Sequence, residues 1–335
     1  MSERWPGGIV RSVPVTPNGP GQNKAASGVW SLADAAYWTK QGLWPTAGVI
    51  ADGTLAIFAL ASSGVRDKYI FSSNAVSAGT AATAGCDNGS AAGTCTAGIF
   101  ALGASSTTRN KYTYSGDVVS AGGAATQASS QGSAVGNSTV GIFSLGSNSG
   151  GSRLCTRNKY TYSSDTVGSA TAATAASSNQ SAAGNSTVGI IALGQTTGSG
   201  PVTTRNKYTY SGDTVTAGGA ATSSSYAGAA TGNATTGIFA LGLVSFSASA
   251  TRNKYTYSGD VVAAGGSASQ SSMYGSAAGN SVAGIFALGY NSGFSRTTTR
   301  NRYTYAGCVV TGATASTAGS AGGSAASNGV AGINT

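Results

Sequence analysis

Beyond residue 45 the chain alternates short runs of β-branched, aromatic and small apolar residues with punctuation by Gly, Asn, Asp and Ser. Residues 127–174 serve as the example. A small-residue strand is expected at Gly132–Val135, and Gly136 and Asn137 form a tight turn, because both residue types tolerate positive φ. A second, apolar strand follows at Val140–Leu145 and stops at Gly146. After a loop of variable length comes Asn158–Tyr162, in which Lys and Thr alternate with Tyr, then a turn at Ser163–Asp165 and a fourth strand from Val167.

This unit recurs. TRNKYTYSGDVV starts at Thr108 and returns, slightly altered, at Thr156, Thr204 and Thr251; VRDKYIFSSNAV at Val65 and TRNRYTYAGCVV at Thr299 are further copies. The first tyrosines, Tyr69, Tyr112, Tyr160, Tyr208, Tyr255 and Tyr303, step by 43, 48, 48, 47 and 48 residues. A second phrase, GIFALG, alternates with it, and GINT at Ile333 is a truncated seventh copy. Four strands per period of 40–50 residues predict an all-β propeller blade; a β-helix would need two rungs per unit. Six copies of strands three and four and seven of the strand one–two hairpin leave six or seven blades. Seven would close if Ile9–Val15 added an outer strand to the hairpin at Ser324–Thr335, and seven is the count favoured.

The first 45 residues differ in kind. They hold all four tryptophans, Trp5, Trp30, Trp38 and Trp44. Ser31 with Asp34 has capping-box character, and Leu32, Ala35, Ala36 and Trp38 fall near one helical face, so Ser31–Gln41 is a predicted short helix stopped by Gly42 and Pro45. Pro14–Asn23 is an extended arm. The division is therefore residues 1–45, arm and helix, and residues 46–335, the propeller.

Antiparallel connectivity assigns the loops to two faces. The one–two and three–four turns share one face and are nearly identical between units: GNST at Gly136 and Gly184, GNAT at Gly232. The two–three loops and inter-blade connections share the other face and diverge. Exposed Tyr, Phe and Arg there make Arg153, Tyr226, Phe246, Tyr274, Tyr290, Phe294 and Arg296 the binding candidates.

Charge adds less than its total suggests. The chain carries 18 Lys and Arg against nine Asp and Glu, a net charge of +9. Twelve of the 18 lie in the Tyr strands, six in the register of Arg66, Arg109, Arg157, Arg205, Arg252 and Arg300 and six two residues later. Spread round a ring, they form no continuous phosphate track, so nucleic acid is not an expected partner. Two uses remain: a radial ring for an anionic glycan, or, as favoured, aliphatic stems covering small neighbours with heads in water. Asp117, Asp165, Asp213 and Asp260 are turn residues, not metal ligands.

The chain has no His. That removes the commonest general base and the commonest zinc and copper ligand, so neither catalysis nor a cofactor is expected. Cys86 and Cys95 lie too far apart on one strand to bridge, whereas Cys86 and Cys155 share a face and could meet. No 18-residue apolar run exists to span a membrane as a helix, and MSERWPGG lacks a secretory pattern.

The order of small-residue strand, Asn-containing turn, apolar strand ending in Gly, variable loop and Tyr strand resembles the kelch repeat over about residues 46–335. Ala101-Leu102-Gly103 stands where kelch blades carry two glycines, Tyr112 and Tyr114 stand near the kelch Tyr, and Val118 and Val119 replace its Trp. Repeats of this Ala/Ser/Gly-rich GNSTVGIF type look like those of bacteriophage tail proteins. The phrase GVWSL…GLWP, Gly28 to Pro45, resembles a module of phage structural proteins. The resemblance implies a non-enzymatic virion component of the tail: a tail fibre, tail tip or baseplate appendage. In it Trp5, Trp30, Trp38 and Trp44 would dock onto other tail or baseplate proteins, the equal alternative being that they plug the floor of the propeller; the chain would form a homo-oligomer in the particle, and the loops would meet a host-surface glycan. A purely architectural virion protein and a soluble lectin-like propeller are the alternatives.

Overall fold

The computed structural model describes residues 54–329 together with Ala33, Asp34, Ala36 and Tyr37. Those four are helical and exposed, inside the expected helix. The four tryptophans, the Pro14–Asn23 arm, Ile9–Val15 and GINT lie outside the described residues.

Residues 54–329 form six four-stranded antiparallel sheets, each a blade. Blades 2 to 6 are contiguous in sequence and ordered as expected. Blade 3, for instance, runs from an inner strand Ser133–Gly136 through Val140–Ser144 and Arg157–Thr161 to an outer strand Thr166–Ala170. Blade 1 is composite. Its three outer strands are Leu55–Ala59, Arg66–Ile70 and Ala75–Gly79, and its inner strand is Ser324–Ser327 from the other end of the propeller. The pairing register is Ala56 with Ser327, Ile57 with Ala326, Phe58 with Ala325 and Ala59 with Ser324. The inner strands touch in a closed cycle, Ser324–Ser327 lying between those of blades 6 and 2.

The ring therefore has six blades, which corrects the preference for seven. Ser324–Ser327 is no seventh hairpin; it fills the inner place that blade 1 leaves vacant. The partial repeat is itself the reason, since a ring split inside a blade shows one extra copy of the strand at its seam.

Small residues on the inner strands let the blades converge, and the aromatics fill the wider gaps further out. Tyr69, Tyr112, Tyr160, Tyr208, Tyr255 and Tyr303 are fully buried, and Ile57, Phe100, Ile142 and their repeats pack with them. Gly141 sits where a methyl group would meet the Tyr162 hydroxyl at 2.7 Å.

The arginine register behaves unlike either expectation. All six arginines are at most 1% exposed. Each sends Nη2 into the next blade: Arg66 to Asn110 at 3.2 Å, Arg109 to Asn158 at 3.1 Å, Arg157 to Asn206 at 2.9 Å, Arg205 to Asn253 at 3.0 Å and Arg252 to Asn301 at 3.1 Å. Arg300 completes the circuit on Asp67 at 2.7 Å, a fully buried ion pair at the seam. In five of the six the guanidinium also lies over the next blade's Phe, 4.4 Å from the centroid for Arg109 on Phe143 and 4.6 Å for Arg300 on Phe58, whereas Arg157 faces a blade with Ile191 in that place. Burial pulls Arg109, Arg157, Arg205 and Arg252 down to about 10, so they stay charged at neutral pH. The heads do not reach water and offer no anionic-glycan ring, because both faces of each strand are covered by neighbouring blades.

Two residues along, the register is half-exposed and outward: Lys68, Lys111 and Lys207 pair with Asp117, Asp165 and Asp260 of the next blade at 3.2, 2.7 and 2.9 Å. The repeated aspartates are thus turn residues that also tie blade to blade. All four cysteines are free, with Cys86 buried and Cys155 exposed.

Candidate binding face

The divergent loops and the inter-blade connections do share one face, because they pair with one another. Ser177–Ser178 pairs with Gln195–Thr196, Ser225–Tyr226 with Leu243–Val244, and Ser272–Met273 with Tyr290–Asn291. Two-stranded extensions of this kind hold the variable loops on the rigid ring.

The candidate residues do not gather equally. Six of them lie on blades 5 and 6 and the connections leading into them. Tyr226 meets Phe246 edge-on at 6.2 Å, and Tyr274 meets Tyr290 at 6.3 Å. Arg296 stands 6.0 Å from the Tyr290 centroid and donates to Ser62 Oγ at 2.9 Å. Tyr226, Tyr274 and Tyr290 share a floor of Ala227, Leu243 and Met273. Phe246 and Phe294 are each 71% exposed. Arg153 stands apart. It donates to Ser178 Oγ, Gln195 Oε1 and the Thr196 carbonyl, and so serves to bind one loop to the next.

The axis of this face carries a second arrangement. Each connection ends in one residue just before its inner strand: Asn88, Gln131, Asn179, Ala227, Tyr274 and Gly322. All six have positive φ, from 50° at Asn88 to 75° at Gly322. Backbone hydrogen bonds link them round the axis. Gln131 N–H donates to Asn88 C=O at 2.8 Å, Asn179 to Gln131 at 2.8 Å, Ala227 to Asn179 at 3.0 Å, Tyr274 to Ala227 at 2.7 Å and Gly322 to Tyr274 at 2.8 Å. The glycines that end the second strands back this rim closely. At Gly146 (φ 77°) an added methyl would strike the backbone of Ser130 and Gln131, and at Gly289 (φ 78°) that of Met273 and Tyr274. The rim encloses a shallow mouth open to solvent.

Sequence reasoning singled out Tyr274 as a candidate but not Asn88, Gln131, Asn179, Ala227 or Gly322. A signal exists: a residue followed by Gly or Gln, then a small-residue strand, at the same spacing as the tyrosines. Gln180, next to Asn179 on the rim, is buried; its amide donates to Ser177 and accepts from Ser133 Oγ at 3.2 Å.

Six four-stranded blades closed by a shared first blade define a kelch-like β-propeller. No family model and no curated protein matches the chain. Among solved structures it is similar to one titled "Structure of YjhT", with a TM-score of 0.56 and 11% identity, over 70% of this chain and 86% of that one. That likeness carries the fold alone.

Proposed function

We propose that the chain is a non-enzymatic bacteriophage tail protein. In this reading it is a fibre, tip or baseplate appendage, fixed to the virion through its N-terminal segment, whose propeller displays variable loops to the host surface. The tail assignment rests on the resemblance of the repeats and of GVWSL…GLWP. One observation carries the recognition role: within a single chain, one face repeats its turns almost unchanged, while the other varies its loops and gathers Tyr226, Phe246, Tyr274, Tyr290 and Arg296 on one side. Drift alone has no reason to collect aromatic and Arg residues, the types that carry most interface energy.

Two measurements test it. Mass spectrometry of purified particles should find the chain, and its absence would sink the tail assignment. Particles carrying Tyr290→Ala, Phe294→Ala and Arg296→Ala together should lose adsorption to host cells; unchanged adsorption would remove the recognition role from these loops.

A further inference from the structure

We infer that the axial mouth on the loop-bearing face is a binding site for the terminal residue of a neutral saccharide, held between the amides of Asn88, Gln131 and Asn179 and the ring of Tyr274. This deepens the host-recognition reading and rests on it.

The first ground is asymmetry in a symmetric frame. The inner strands follow one another in a cycle, so the rim residues do too. Asn88, Gln131 and Asn179 are consecutive and carry amides; Ala227, Tyr274 and Gly322 are consecutive and carry an aromatic ring between two small residues. Three places round a six-fold ring, Gln131 stands opposite Tyr274. One half of the mouth is polar, and the other carries the aromatic ring. A sugar has the matching division, hydroxyls at its edge and C–H groups on its face.

The second ground is the backbone. All six positions are left-handed, and Gly322 shows that glycine meets that requirement. Gln131 (φ 59°) and Tyr274 (φ 53°) hold large side chains there, at a conformational cost that glycine avoids. Strain retained where glycine would serve points to a use for the side chain.

The third ground is hydrogen-bonding capacity. Five links round the axis occupy most of the rim's backbone groups, so recognition of a ligand falls mainly to side chains. Gln131 Oε1 accepts from Ser147 Oγ at 3.3 Å, which leaves Nε2 as its donor. Asn179 Nδ2 donates to Gln195 Oε1 at 3.1 Å, which leaves Oδ1 as its acceptor. Adjacent rim positions thus present one donor and one acceptor, the complement of neighbouring hydroxyls. Tyr274 remains a phenol at neutral pH, since burial and the adjoining Tyr226 and Tyr290 raise its hydroxyl. No ionised residue lines the mouth, and the six arginines of the repeat register are buried between blades.

The test uses the full chain on an array of oligosaccharides ending in glucose, galactose or N-acetylglucosamine, beside sialylated and sulfated ones, with host cells assayed in parallel. Wild type should bind at least one neutral terminus. Gln131→Gly and Tyr274→Asn, which both suit positive φ, should weaken that binding at least about tenfold, with Gln131→Gly leaving the melting temperature unlowered. Ser186→Ala, on the opposite face, should bind as wild type. Binding only of sialylated or sulfated sugars overturns the neutral site, as do rim variants that bind unchanged. Binding to host cells but to no saccharide also overturns it, while leaving host recognition standing. Binding to neither cells nor sugars removes both.

Discussion

The arginine of each TRNKY phrase shows what a single position contributes. Asn158 accepts from Arg109 and from the Thr126 N–H, both at 3.1 Å, and donates to Thr126 Oγ1 at 2.7 Å. Asn158→Ala would strand a buried guanidinium and a buried N–H together, and should cost about 3 kcal/mol in equilibrium urea unfolding. Asn158→Asp should cost far less, because the chain already contains that arrangement. At the seam Asp67 accepts from Arg300, from Thr317 N–H at 3.1 Å and from Thr317 Oγ1 at 2.6 Å. Equal losses in the two variants would show that hydrogen bonding at this site is not what matters. Little of this was legible beforehand. Period-two reasoning rightly puts Arg and Lys on one side of the strand, but it assumes that one side faces water. In a blade both sides face protein, and only distance along the strand decides that Arg109 is buried while Lys111 is half-exposed.

At the scale of strands and turns the sequence was much more readable. Strand bounds expected for residues 127–174 fall within one residue of those found, because Gly, Asn and Asp punctuate every strand. What the turns do was less visible, since each repeat contacts its neighbour and not itself. Asp117 closes its own hairpin by accepting from Tyr112, and reaches back a blade to accept from Thr80 N–H at 2.8 Å and Lys68 at 3.2 Å. Partial burial pushes its carboxyl up, and these hydrogen bonds more than reverse that, to about 2 against an ordinary 3.8. Asp165, Asp213 and Asp260 are lowered in the same way. A carboxyl lowered in the folded state stabilises fully above its unfolded value and ceases to as pH falls through the folded one. The melting temperature should therefore drop as pH falls from about 4 to about 2. Replacing all four by Asn should lower it at neutral pH and flatten that acid slope. Blade 1 shows that the amide fits, since Asn74 accepts from Tyr69 at 2.6 Å and Thr314 N–H at 3.0 Å. A variant with the wild-type slope would place the acid sensitivity elsewhere.

For the whole molecule, the repeat count pointed to a ring but not to its seam. Seven inner-strand phrases were read as seven hairpins because local pairing is the default; here the last phrase pairs across the propeller with Leu55–Ala59. The seam is marked chemically as well. Blade 1 carries Asp67 where the others carry Asn, and Asn74 where most carry Asp, so its buried contact is ionic and its outer turn neutral. A carboxylate in a single blade pairs best with the arginine of one neighbour, which favours closure of blade 6 onto blade 1 over a slipped or intermolecular match. Removing residues 324–335 should then do more than trim an end. It uncovers the inner edge of Leu55–Ala59, opens the gap between blades 6 and 2, and unseats Ile57 and Phe58, both fully buried. The melting temperature should fall by ten degrees or more, since several kcal/mol are lost. A synthetic peptide of residues 321–329 should restore part of it in a dose-dependent way, by taking the vacant place in register. An unchanged melting temperature would mean that the inner strand of blade 1 is supplied by some other segment, and that the six-blade closure is wrong.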